Sequence, residues 1–153
     1  MSITNLLHRV SQIVSEKIAV TAAGSADYDG LTARQIAVLE AIYEHGDKPN
    51  QTQICQMTGI DRSTLADIVR RLVIEKKYLR RNRTKDDMRA YALQLTADGE
   101  AALKFGRAIR TKAEAQVLAM ISQTDQKSLE RALTKIMEAH EQDNSAPSLV
   151  AAE

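Results

Sequence analysis

Aromatic side chains are scarce: the 153-residue chain has no tryptophan, one phenylalanine and four tyrosines. Its core must be built largely from Leu, Ile and Ala, and their prevalence together with Glu favours helix over strand. Cysteine occurs once, at Cys55, which excludes an internal disulfide and suits a reduced, cytoplasmic protein. No apolar run approaches the roughly 18 residues a membrane span needs. The start, Met1-Ser2-Ile3-Thr4-Asn5, lacks the basic residues and apolar block of a signal peptide. A soluble chain is expected. Disorder is excluded for most of it, because 44% of residues are apolar. The length suits one domain with a sizeable core.

The net charge of +1 hides an uneven distribution. Between Asp61 and Arg89 stand ten cations and five anions, a local +5, so the remainder carries −4. A basic segment in an otherwise acidic chain is the footprint of a polyanion-binding surface, or else a solvated charged face.

Ile3, Leu6, Leu7, Val10, Ile13, Val14 and Ile18 recur at spacings of three and four, predicting a one-faced amphipathic helix over about 3–22. Its apolar face needs a partner distant in sequence or a second chain. Residues 24–30 have turn composition. Thr32 and Gln35 form a capping box for a second helix that ends at Gly46. Pro49 breaks the chain, and Asn50 with Gln53 opens a short third helix with Ile54, Cys55 and Met57 inward. Thr58-Gly59-Ile60-Asp61 then makes a turn in which Ile60 points inward and Asp61 caps a helix from Arg62 to about Lys76. Two short helices joined by a glycine-containing turn are a helix-turn-helix.

The periodicity next falls to two. Tyr91, Leu93 and Leu95 alternate with Ala90, Ala92 and Gln94, as in a half-buried strand. Its natural partner is 79–83, with 84–88 as the tip of a β-hairpin wing. Thr96 caps a long helix reaching about Ser122, Thr124 and Asp125 start a last one, and a frayed tail follows from Asp143. The expected class is mainly α, with a winged helix-turn-helix over about 31–96. Flanking helices at about 3–22 and 97–142 complete one domain, 1–143, and 144–153 are expected to be disordered.

A recognition helix reads DNA when its first turns carry groups able to hydrogen-bond base edges. Arg62, Ser63 and Thr64 occupy that turn, with Asp67, Arg70 and Arg71 one turn on. Ser63 and Thr64 suit bases or phosphates, with ordinary helix capping as the alternative. Arg81, Arg83, Lys85 and Arg89 crowd the hairpin beside Arg80. Asp87 stands two residues before Arg89, where a carboxylate can hold a guanidinium extended toward a narrow minor groove.

Leu31-Thr32-Ala33-Arg34-Gln35, Gly59-Ile60-Asp61-Arg62-Ser63-Thr64-Leu65, Asp87-Met88-Arg89-Ala90 and Leu95-Thr96-Ala97-Asp98-Gly99 stand in the order and spacing of the MarR family. The chain resembles that family from about residue 31 to 103. The resemblance implies a homodimeric transcriptional regulator whose terminal helices interleave between two chains. It implies recognition helices in successive major grooves of a pseudo-palindromic operator, with Arg89 in the minor groove and Asp87 orienting it. One departure concerns Lys76-Lys77-Tyr78, where the family has Lys-Gly-Leu. Lys77 must either accept positive φ, at roughly 1 kcal/mol, or let the helix run on.

His8 and Arg9 on the first helix and Tyr43 on the second lie on elements that line an effector pocket in the family. They suit an anionic aromatic ligand, or stand as solvated residues. Family peroxide sensors place their reactive cysteine on the first helix, which has none here, so Cys55 reads as a structural thiol. His8, His45 and His140 show no ligand spacing, so neither metal nor cofactor is expected. No catalytic constellation emerges either. The expected function is a ligand-responsive, repressing, double-stranded DNA-binding dimer. Its rival is a winged-helix protein-docking module, which predicts a covered basic face.

Overall fold

A computed structural model describes residues 1–25, 31–46, 48–83 and 91–145. The order is α1 (Ile3–Ala23), α2 (Ala33–His45), α3 (Gln51–Thr58), α4 (Arg62–Ile74), β1 (Leu79–Arg83), β2 (Tyr91–Leu95), α5 (Ala97–Leu118) and α6 (Gln123–Ser145). Among the described residues six helices and one antiparallel strand pair make the mainly α winged helix-turn-helix expected of the sequence. Among the described residues no helix is long and apolar enough to cross a membrane. The chain divides into two compact units, 1–114 and 115–153.

Local hydrogen-bond chemistry sets the helix starts of the first unit. Thr32 and Gln35 satisfy each other's backbone amides, at 3.1 Å both ways. Asn50 and Gln53 do the same at 2.9 Å. Each box removes two of the unpaired amides that a helix start leaves. Leu31, Ile36, Leu39, Ile54, Leu65, Val69, Leu72, Leu79, Leu93 and Leu103 are all but sealed from solvent in one core. Each such side chain contributes about 1.5–3 kcal/mol by its burial. That core fixes α4 on α2 and α3, and carries the hairpin.

The exit of α4 differs from a longer helix reaching Lys76. Lys77 adopts φ 57°, turning the chain so that the Tyr78 amide returns to the Leu72 carbonyl at 2.8 Å. A side chain at positive φ costs about 1–2 kcal/mol, and the Lys77 side chain is exposed. Lys77→Gly is therefore expected to stabilise the fold by about 1 kcal/mol, measured as a raised urea midpoint at unchanged slope. An unaltered midpoint would show that the turn is not strained.

β1 and β2 pair in the register Leu79↔Leu95, Arg81↔Leu93 and Arg83↔Tyr91. The Leu93 amide donates to the Pro49 carbonyl at 2.8 Å, tying the hairpin to the segment before α3. Tyr91 shares a sheet face with Leu93 but is 41% exposed. It lies about 7 Å further along the strand, where the core has ended. Ala92, on the other face, is buried instead. Met57, expected inward, is also exposed, because Ile54, with Cys55 and Ile60 partly buried beside it, already fills that side of α3.

In the second unit α5 ends at Leu118, short of Ser122. Ser122, not Thr124, starts α6: its hydroxyl accepts from the Asp125 amide at 3.1 Å and donates to the Asp125 carboxylate at 2.7 Å. Leu129, Leu133, Ile136 and Met137 form a stripe on α6 that the single chain leaves exposed. In the first unit Ile3, Leu6, Leu7, Val10 and Ile13 on α1 are likewise exposed, while Ile18 and Ala22 are buried. Asn144 and Ser145 belong to α6 rather than to a tail. The rest of the expected tail, 146–153, lies outside the described residues.

Candidate nucleic-acid interface

The turn between α3 and α4 is built to aim a helix start outward. Gly59 takes φ 69°, a conformation glycine adopts without a Cβ penalty, and its amide closes α3 on the Cys55 carbonyl at 2.9 Å. Thr58 Oγ1 donates to the Ile54 carbonyl at 2.7 Å and accepts from the Ile60 amide at 3.3 Å. Ile60 packs against the core. Asp61 then turns back over the start of α4, its Oδ1 accepting from the Thr64 amide at 2.9 Å and from Ser63 Oγ at 2.8 Å. In the free chain Ser63 and Thr64 therefore serve the cap.

Hydrogen bonds from Thr64, through side chain and amide, and from Ser63 hold the Asp61 carboxyl far below the usual carboxylate range. A group whose folded pKa is depressed contributes stability above its unfolded pKa and loses it as pH falls toward the folded value. Protection of the Thr64 amide against hydrogen exchange is thus expected to fall in acid below pH about 4. In Asp61→Ala it should be low at every pH. Equal protection in both chains would show that the cap is idle.

Arg62, Ser63, Asp67, Arg70 and Arg71 are exposed on α4, and Thr64 is half-buried. Arg62 Nη2 donates to Thr52 Oγ1 on α3 at 3.4 Å. Asp67 sits between two guanidinium groups, its Oδ1 3.0 Å from Arg70 Nη2 and its Oδ2 3.1 Å from Arg71 Nε. Glu75 reaches the other Arg70 nitrogen at 3.7 Å. The Arg70 hydrogen bond, with the charge of Arg71, lowers the Asp67 carboxyl from its ordinary pKa.

On β1, Arg81 and Arg83 alternate onto one face and are exposed. Arg80 takes the other face, where its guanidinium donates to Gln94 Oε1 at 2.8 and 3.0 Å, and Asn82 donates to the same oxygen at 3.1 Å. Lys85, Asp87 and Arg89, with the hairpin tip, lie outside the described residues.

The three expected effector residues are not gathered in one place. His8 lines an open cleft of about 860 Å³ between α1, the start of α2 and the α3–α4 turn, beside Arg34 and Asp61. Arg9 and Tyr43 are not among its lining. Tyr43 instead lies under Arg107 of α5, the guanidinium 4.7 Å from the ring centre. Arg107 also grips Glu40 Oε1 at 2.6 and 2.9 Å, and Arg110 reaches Glu40 Oε2 at 2.8 Å. Burial would raise the Glu40 carboxyl, but the hydrogen bonds from the two arginines outweigh it and the net shift is downward. This tie between α2 and α5 escaped the sequence reading, because its partners lie 67 residues apart. Among the described residues no group of three or more His, Cys, Asp or Glu is placed to hold a metal ion.

Residues 29–90 match the sequence model described as the MarR family. No curated protein sequence matches the chain. Among solved structures, the chain is similar to a probable transcriptional regulator from Pseudomonas aeruginosa, with 27% identity and a TM-score of 0.75, over 88% of this chain and 96% of that one. It is also similar to Bordetella bronchiseptica BpsR, whose DNA binding is described as regulated by 6-hydroxynicotinic acid. There the identity is 21% and the TM-score 0.75, over 90% and 94% of the two chains. A third likeness is to S. aureus MepR in complex with DNA, at 20% identity and a TM-score of 0.73, over 91% and 98%. The capped helix-turn-helix, the paired hairpin and the sequence agree: residues 29–90 match the MarR family model, within a chain that shares the fold of these solved structures.

Proposed function

We propose that this chain is a cytoplasmic, non-enzymatic transcriptional regulator that binds double-stranded DNA as a homodimer, with 1–143 as one functional domain. The observation that carries the reading is the pairing of a rigidly capped, outward helix start with exposed Arg81 and Arg83 on the strand that follows. In this reading Arg62, Ser63, Thr64, Asp67, Arg70 and Arg71 face the major groove, and Arg81, Arg83, Lys85 and Arg89 meet backbone or minor groove, with Asp87 orienting Arg89. The exposed apolar stripes of α1 and α6 supply the dimer contact. A two-fold dimer requires a pseudo-palindromic operator with half-sites about one helical turn apart.

Repression by occupancy of that operator, relieved by a small aromatic acid, completes the proposal. It is supported by the described regulation of BpsR and by His8 on the cleft that borders the cap of α4. Arg9 and Tyr43 remain further candidates for the ligand. An effector that prefers a dimer with its recognition helices at the wrong separation must weaken DNA binding by its preference ratio.

The test is sedimentation together with fluorescence anisotropy on a duplex from upstream of the gene. A dimer is expected, with affinity falling linearly in log–log salt plots, since phosphate neutralisation releases counterions. Addition of 6-hydroxynicotinic acid, as a small aromatic acid, should lower that affinity. A monomer without grip on any duplex in dilute buffer would overturn the reading.

A further inference from the structure

On the later turns of α4 the two arginines meet two carboxylates, Asp67 within the helix and Glu75 at its C-cap. Asp67 and Glu75 hold Arg70 and Arg71 along the helix rather than away from it. All four side chains are about half exposed, so they are accessible to a partner at this face. Asp67 also stands beside Ala66, whose side chain is too short to reach a base, and one turn after Ser63, whose hydroxyl serves Asp61. On this turn of the helix Asp67 is the acceptor that reaches furthest.

A carboxylate brought into a groove between phosphates is repelled by them. It is compensated only where a base edge presents a donor, which in the major groove means the N4 amino group of cytosine or the N6 amino group of adenine. Arg70 and Arg71 cannot turn to phosphates without leaving this carboxylate unpaired. The two demands are coupled through one side chain.

We propose, resting on the DNA-binding reading above, that Asp67 is a specificity-determining residue. It retains Arg70 and Arg71 on unmatched duplex and releases them to phosphates where cytosine or adenine satisfies its carboxylate. The arginines then add affinity only at the right sequence. Loss of the charge should make the protein a stronger and less discriminating DNA binder.

The experiment selects duplexes from a random pool with the wild-type chain, then measures wild type, Asp67→Asn and Asp67→Glu on a selected duplex and on a fixed unselected one. Asp67→Asn is expected to bind the unselected duplex at least about tenfold more tightly. Its log–log salt slope there should steepen by about 1.8, or 0.9 for each arginine released. The ratio of selected to unselected affinity should fall by about tenfold or more. Pools selected with Asp67→Ala, whose side chain reaches no base, should lose the cytosine or adenine preference that wild-type pools show once in each half-site, whereas Asp67→Asn, able to pair with adenine N6 and N7, should lose only a preference for cytosine. Asp67→Glu, which keeps the charge, should retain low affinity for the unselected duplex.

Binding of the unselected duplex by Asp67→Asn with wild-type affinity and slope, at wild-type circular dichroism, would overturn the role of Asp67 and leave the DNA-binding reading intact. Failure of the wild-type chain to enrich or bind any duplex would overturn both.

Discussion

Gly99→Ala is expected to cost about 3 kcal/mol and to lower the melting temperature by about 10 °C. A Cβ on Gly99 would collide with the carbonyl oxygen of Tyr78 and stand 2.9 Å from its carbonyl carbon and 3.2 Å from Leu95 Cδ2. Two of these obstacles are backbone and cannot rotate aside. The same Tyr78 oxygen accepts the Thr96 amide at 3.0 Å. Thr96 Oγ1 donates to the Lys77 carbonyl at 2.8 Å and accepts the Gly99 amide at 3.0 Å. The first turn of α5 and the entry to β1 are thus interlocked main chain to main chain, and a methyl group forces them apart. Gly24→Ala is the control: its added Cβ would meet nothing nearer than 3.6 Å, at an ordinary φ of −78°. It should leave stability within about 1 kcal/mol, on the stabilising side. Equal urea and thermal transitions for both variants would show that the approach at Gly99 is loose.

The second large effect is on DNA. Arg81→Ala combined with Arg83→Ala is expected to weaken duplex binding about thirtyfold near 0.15 M salt and to flatten the log–log salt slope by about 1.8. The arithmetic is that of counterion release, in which each neutralised phosphate adds about 0.9 to the slope and roughly fivefold to affinity at that salt. Both side chains are exposed and lie on one face of β1, so folding should be untouched. An affinity and slope equal to wild type would place the duplex elsewhere on the molecule and favour a docking role for the hairpin.

Much of the first unit was legible because its determinants are local. The pairs Thr32–Gln35 and Asn50–Gln53 span three residues, as does Asp61–Thr64, and such pairs can be read directly from spacing. The exit of α4 was legible as a choice between two outcomes. It was settled by the return of the Tyr78 amide to Leu72, a bond that spacing does not announce. Tyr91 and Met57 were misplaced because alternation and helical phase say which face a residue takes, not where the core beneath that face ends. The apparent +5 of residues 61–89 was similarly incomplete. Counting charges does not reveal that Asp67 and Glu75 pair off the arginines of α4, leaving much of the exposed excess to Arg62 and the hairpin. The Glu40 cluster joins residues 67 positions apart, which only packing brings together.

The ribbon formed by β1 and β2 is two strands wide, and so narrow a sheet has little to stop neighbouring molecules from extending it rim to rim. Three arginines within the five residues of β1 make such stacking self-repelling, in the way edge strands are commonly guarded against polymerisation. On the proposed DNA-binding reading, the grip on nucleic acid and the colloidal behaviour of the purified protein would rest on the same side chains. The double-alanine chain should accordingly show a rising light-scattering signal at concentrations where the parent stays monodisperse.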